Sequence, residues 1–131
     1  MSLDIFIKAR DKTFRELNKY FVSHEKKPLI NNNEYINKVI ETTIKDLDRT
    51  RFENLETLYL NQERELQNGQ LKAIADGLFR KSEAMWRKEE SIMYKRMTLN
   101  IFKDIYSMNG KTSVNLVSDF KKYKSSTGGN N

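Results

Sequence analysis

The side chains able to do chemistry are few. The chain has no cysteine and a single histidine, His24, which excludes disulfides, thiolate nucleophiles, thiolate metal sites and multi-histidine metal sites together. Metal chemistry would have to rest on carboxylates alone. A helical di-metal centre wants Glu-x-x-His pairs on facing helices, and no glutamate stands three residues before His24. The close-set carboxylates of Glu63-Arg64-Glu65 and of Glu89-Glu90 point to different sides of a helix, so neither pair has the geometry of an acid–base dyad. Gly69, Gly77, Gly110, Gly128 and Gly129 are spaced too irregularly to cradle a phosphate, and no strand pattern precedes any of them. The expectation is a non-catalytic protein without metal or cofactor.

What remains is charge placed in unusual settings. Glu89 lies three and four residues from Met85, Trp86, Ile92 and Met93, which sets its carboxylate in the middle of an apolar helix face. Arg96, seven residues on, is placed similarly. An unpaired charge there is costly, so Glu89 requires a cation or a proton. Arg51 falls between Leu47 and Leu55, and Arg10 among Phe6, Ile7 and Phe14. Arg10, Arg51, Glu89 and Arg96 are therefore expected to form a polar layer that fixes the register of neighbouring helices. A second constellation is the basic ridge of Arg80, Lys81, Arg87, Lys88 and Lys95. Lys81, Lys88 and Lys95 recur every seven residues, about 10.5 Å apart on one helical line. Such a ridge could follow a phosphate backbone, or be neutralised by the acidic residues of the segment before it.

Ser23-His24-Glu25-Lys26-Lys27-Pro28-Leu29 resembles the phosphoacceptor box of sensor histidine kinases, in which Ser-His-Glu is followed by three residues and then Pro-Leu. The resemblance implies phosphotransfer on His24. Here two residues intervene, which on a helix turns the proline and leucine by about 100°. Phosphotransfer is accordingly not the expected function.

These residues need helices to position them. Leu3, Phe6, Ile7, Phe14, Leu17 and Phe21 recur at three- and four-residue spacing, predicting a first helix that opens on Ser2 as N-cap and ends near Ser23. Pro28 and Asn31-Asn32-Asn33 interrupt the pattern. From an N-cap at Asn33, a stripe of Ile36, Val39, Ile40, Ile44, Leu47, Leu55, Leu58, Tyr59 and Leu66 predicts a second helix running to a turn at Asn68-Gly69, with Asp76-Gly77 as the competing break. A third helix then covers residues 70–108. Leu71, Leu78, Met85, Ile92, Leu99 and Tyr106 recur every seven residues in it, flanked by Phe79, Trp86 and Met93, which reads as a broad buried arc. Asn109-Gly110 stops it. A short fourth helix is expected within residues 111–124, capped by Thr112 or Ser113, with a partial stripe of Val114, Leu116, Val117 and Phe120. Residues 125–131 contain nothing apolar and are expected to be a disordered tail.

The fold class predicted is all-α: an antiparallel three-helix bundle on a long helical hairpin, one domain over residues 1–124. With 37% hydrophobic residues in 131, a modest core is available. A mean hydropathy of -0.78 and the lack of a long uncharged apolar run predict no membrane span, and the absence of a leader pattern predicts an intracellular, cytoplasmic protein. The net charge of +6 permits acidic partners. It is unevenly spread, with residues 28–66 carrying -3 and residues 1–27, 67–108 and 109–131 each +3. The first helix is too short to cover the hairpin. Leu58, Tyr59, Leu66, Leu71, Ile74, Leu78 and Phe79, at the turn end, are expected to stay open as an interface for another protein or a second copy. Nucleic acid on the basic ridge and basic C-terminus is the alternative partner.

Overall fold

The computed structural model describes residues 3–23 and 32–128. Ser2, His24, Pro28 and Asn31, and with them the proposed first cap and the histidine box, lie outside these residues.

Helix α1, Asp4–Ser23, buries Phe6, Ala9, Thr13, Leu17 and Phe21, which share one face at three- and four-residue intervals. Thr13 is tolerated inside because its hydroxyl donates to the Ala9 carbonyl at 2.8 Å. Ile7, expected on this stripe, falls on the edge of the face and is exposed. Helix α2, Asn32–Leu47, begins one residue before the expected cap at Asn33 and buries Ile36, Val39, Ile40, Thr43, Ile44 and Leu47.

The second predicted helix does not run through. After Leu47 the chain turns over Asp48, Arg49 and Thr50, and Arg51 takes an extended conformation (φ -113°, ψ 165°) as N-cap of α3, Phe52–Ala75. The reason is a slip in phase. Positions 40, 44 and 47 call for the next apolar residue at 51, but the chain places Arg51 there and Phe52 one step later. A straight helix would bury the guanidinium and expose the ring. Breaking it reverses both, leaving Phe52 buried and Arg51 exposed.

The hairpin turn is at Asp76-Gly77, not at Asn68-Gly69. Gly77 has φ +74°, a left-handed conformation cheap only for glycine. Its N–H donates to the Ile74 carbonyl at 3.0 Å and that of Leu78 to Ala73 at 2.8 Å, the paired bonds of a Schellman stop. Helix α4, Phe79–Met108, therefore starts nine residues later than expected. It ends at Asn109-Gly110 as predicted, by the same device: Gly110 has φ +67°, and Gly110 and Lys111 donate to Ser107 and Tyr106. Gly69, the turn residue expected from sequence, lies inside α3 for a different reason. A Cβ there would stand 2.8 Å from Met85 Sδ on α4, so its bareness lets the two helices approach.

Helix α5, Ser113–Tyr123, is capped by Thr112, whose backbone N–H donates to Asn115 Oδ1 at 2.8 Å. Its buried residues are Ser113 and Leu116, while Val114, assigned to the stripe, is exposed. Lys124–Gly128 continue as a π-helical turn where a structureless tail was expected, and residues 129–131 lie outside the described set.

The molecule is all-helical, with five α-helices among the described residues. Helix α4 is its spine. Along its whole length it packs antiparallel to α3; α1 and α2 flank its C-terminal half, and α5 folds back on α2 and the end of α4. The core holds Phe6, Leu17, Phe21, Ile36, Ile44, Leu47, Leu55, Tyr59, Tyr94, Leu99, Phe102, Tyr106 and Leu116, each contributing about 1.5–3 kcal/mol on burial. Phe6 meets Phe102 at 5.8 Å and Tyr123 at 4.9 Å between ring centroids. This core occupies one end, the head. Over residues 64–91 the hairpin continues beyond it as a two-helix arm, whose buried residues are only Ala73 and Ser82. No helix of the described residues is long and apolar enough to cross a membrane.

Candidate interaction surfaces

The four residues of the expected polar layer do not meet. Arg10 donates to Asn37 Oδ1 at 3.2 Å and lies over the Phe14 ring at 4.5 Å. Arg51 is exposed at the α2–α3 turn. Glu89 has no guanidinium partner among the described residues; it accepts hydrogen bonds from the side-chain amides of Gln67 at 2.6 Å and Gln70 at 2.7 Å. Arg96 forms a two-pronged pair with Glu63, through Nε to Oε2 and through Nη2 to Oε1 at 3.1 Å. Glu63 is buried, and its hydrogen bond is the main cause of the Arg96 guanidinium's raised pKa.

The expected layer fails because of the turn. A hairpin turning at residue 69 pairs positions summing to about 140 and sets Arg51 opposite Glu89. With the turn at Gly77, Gln70 faces Glu89, Glu63 faces Arg96 and Glu56 faces Lys103 at 3.7 Å. Positions 89, 96 and 103 recur every seven residues on α4, and 70, 63 and 56 every seven in the opposite sense on α3. Glu89 and Arg96 do point into the α3–α4 seam, and the seam carries a ladder of three polar links, each one helical repeat from the next, that fixes the register.

A further polar clamp had no counterpart in the sequence reading. Asp46 of α2 accepts from Tyr59 Oη of α3 at 2.7 Å and from Lys95 Nζ of α4 at 2.9 Å, and Lys95 lies 5.1 Å from the centre of the Tyr59 ring. Three helices are tied at one point. Burial, then the Asp46 carboxylate, pushes the Tyr59 hydroxyl far above the usual phenol range. Tyr106 repeats the motif, donating to Asp119 at 2.7 Å, and is raised for the same two reasons. Tyr94 stands edge-on to Tyr20, Phe21 and Tyr35 at 5.4, 5.2 and 5.8 Å, and burial raises its hydroxyl likewise. The signal for these clamps is an acidic residue thirteen positions from a tyrosine across a turn, which no local pattern isolates.

The basic ridge is interrupted. Lys95 is held by Asp46, and Arg87 by Glu83 at 2.7 Å. Arg80, Lys81 and Lys88 are exposed, and no ion pair joins any of them to an acidic group among the described residues. At the head, Lys121 and Lys124 pair with Asp48 at 3.9 Å and Glu41 at 2.9 Å; the Lys124 hydrogen bond is the main cause of the lowered pKa of Glu41. A shallow depression of about 380 Å³ opens beside this region, lined by Leu47, Asp48, Thr50, Ser113, Val117 and Lys121. Its two charged residues, Asp48 and Lys121, face one another.

Met108 and Val114, 83% and 74% exposed, stand singly at and just beyond the far end of α4, whereas at the turn end exposed large apolar residues are grouped. Leu71 is 68% exposed, Ile74 51%, Leu78 48% and Phe79 69%. Trp86, assigned from its spacing to a buried arc, is 45% exposed and belongs with them. Leu58 is also exposed, but Leu66 is only half-exposed and Tyr59 is fully inside, a correction that follows from its bond to Asp46. On α3, Leu71 and Ile74 lie on one flank of the seam, and on α4 Phe79 and Trp86 lie on the same flank, since the helices run antiparallel. The ladder register sets Leu71 beside Trp86, with Ile74, Leu78 and Phe79 at the tip. Meanwhile the arm's interior holds Gly69, Ala73, Ser82, Met85 and the Gln67–Gln70–Glu89 cluster. Leu66 and Met85 apart, small and polar residues make the arm's seam, and large apolar ones face out.

No family model, curated protein or solved structure matches the chain.

Proposed function

We propose that the chain is a non-catalytic helical interaction subunit, a bundle on a long antiparallel hairpin, that docks through the apolar flank at the tip of that hairpin. The observation carrying this reading is the exposure of Leu71, Ile74, Leu78, Phe79 and Trp86 together at the end of the molecule farthest from its core. A monomeric protein rarely leaves so contiguous an apolar surface in water without a use for it. The test is recovery of the complex from the native host. Leu71→Asp with Phe79→Asp abolishes it, whereas charge reversal at Lys81 and Lys88 leaves it intact.

A nucleic-acid-associated role is the second reading, favoured by the exposed row of Arg80, Lys81 and Lys88, which no ion pair engages among the described residues. Three cations predict weak binding with a shallow salt dependence. For this role the same two variants give the opposite outcome: charge reversal abolishes retention on DNA or RNA in low salt, and the tip variant retains it.

A further inference from the structure

The apolar flank of the arm has a shape that fits a particular occupant. Resting on the docking reading above, we propose that it is a second copy of this chain, paired antiparallel, arm on arm, about a two-fold axis passing near Trp86.

Three observations converge on self-pairing. The first is spacing. Phe79, Trp86 and Met93 recur every seven residues along one line of α4, about 10.5 Å apart. Met93, half-buried, lies at the margin of the head, with Tyr20 Oη 3.9 Å from its sulfur, while Trp86 and Phe79 run outward beyond α1 and are exposed. A line of three apolar residues centred on Trp86 is its own complement under a two-fold axis: Trp86 meets Trp86 of the other copy, and each Phe79 meets the other's Met93. Two hairpins so paired make a four-helix bundle.

The second is area. At the exposures above, and taking roughly 150–250 Å² for a large side chain, the five residues present about 500 Å². A standard interface buries roughly 800 Å² on each partner, about 65% of it apolar in homodimers, so the flank matches the apolar share required. The third is charge. The chain as a whole carries +6, but residues 64–91 hold six basic and five acidic side chains, so two arms approach without the net repulsion two heads would meet.

The experiment uses the full chain and its only tryptophan, Trp86. Light scattering after size exclusion is expected to give twice the 15.5 kDa chain mass, in low and in high salt alike. Trp86 emission should shift to longer wavelength on dilution as the dimer parts. Leu71→Asp with Phe79→Asp should give a monomer of unchanged helix content whose emission does not move with concentration. A wild-type chain that stays monomeric at hundreds of micromolar overturns the inference. So does a dimer that survives the double substitution, or one whose Trp86 emission ignores dilution. The docking reading fails separately, when the tip variant still recovers its complex from the host; a monomeric chain whose tip variant loses that complex keeps the reading and ends self-pairing.

Discussion

Helix α4 is one helix in two settings. From Tyr94 to Tyr106 it buries Tyr94, Thr98, Leu99, Phe102, Ile105 and Tyr106 under three other helices, while from Phe79 to Trp86 it buries Ser82 alone. Both halves have large apolar residues at helical spacing. The difference lies in what covers them: α1 and α2 are 20 and 16 residues long against the 30 of α4, and their coverage ends near Met93. The head is thus held by its own hydrophobic burial, and the arm by close backbone approach and side-chain hydrogen bonds, which are worth less individually. A helix pattern records that a face is apolar without recording whose atoms cover it.

The contrast can be broken most sharply by truncating one phenylalanine at each end. Phe102→Ala in the head should cost about 3–5 kcal/mol, read as a lower urea midpoint, whereas Phe79→Ala at the tip should leave monomer stability within about 0.5 kcal/mol. Comparable losses at both sites would mean that the tip is packed. Next in size is the seam between the two regions. Arg96→Met leaves the buried Glu63 carboxylate without its cation and should destabilise by about 1–3 kcal/mol; the further change Glu63→Leu should recover most of that, because the desolvated charge is then gone. Gly77→Ala, at φ +74°, should cost about 1 kcal/mol and loosen the arm while the head melts as before.

Alkali sharpens the same comparison, since the tyrosines with strongly raised hydroxyls, Tyr59, Tyr94 and Tyr106, are all in the head. Their unfolded values sit near 10, so their contribution is whole below that pH and is lost as the pH climbs toward their folded values. Their ionisation should coincide with loss of helix in a combined absorbance and circular dichroism titration. Three hydroxyls that titrate near pH 10 with the helices intact would contradict the burial described.

Much of this was legible in the residues. Phe6, Leu17 and Phe21 marked α1, the Ile36-to-Leu47 stripe marked α2, and Asn109-Gly110 marked the end of α4. The shortness of the first helix pointed to the open turn end. The α2–α3 break was also written in the chain, as the one-residue slip between Arg51 and Phe52, although the stripe from Ile36 to Leu66 passes over it at near-helical spacing. The choice between Asn68-Gly69 and Asp76-Gly77 was not local. Both are ordinary stop signals, and what decides is Met85, sixteen residues on, packed where a Cβ at Gly69 would have to be. That eight-residue shift moved every partner of Glu89 and Arg96, so their inward direction was readable and their neighbours were not. Trp86 misled for the reason α4 teaches, having the spacing of a core residue on a stretch of α4 beyond the ends of α1 and α2.

The measurement that bears most directly on the account is hydrogen–deuterium exchange along α4 at two protein concentrations. Amides of residues 94–106 should exchange slowly at both. Those of residues 79–90 should exchange faster at the lower concentration and gain protection at the higher, as the apolar flank is covered. Protection that is uniform along the helix at the lowest concentration, or an arm indifferent to concentration, would contradict it.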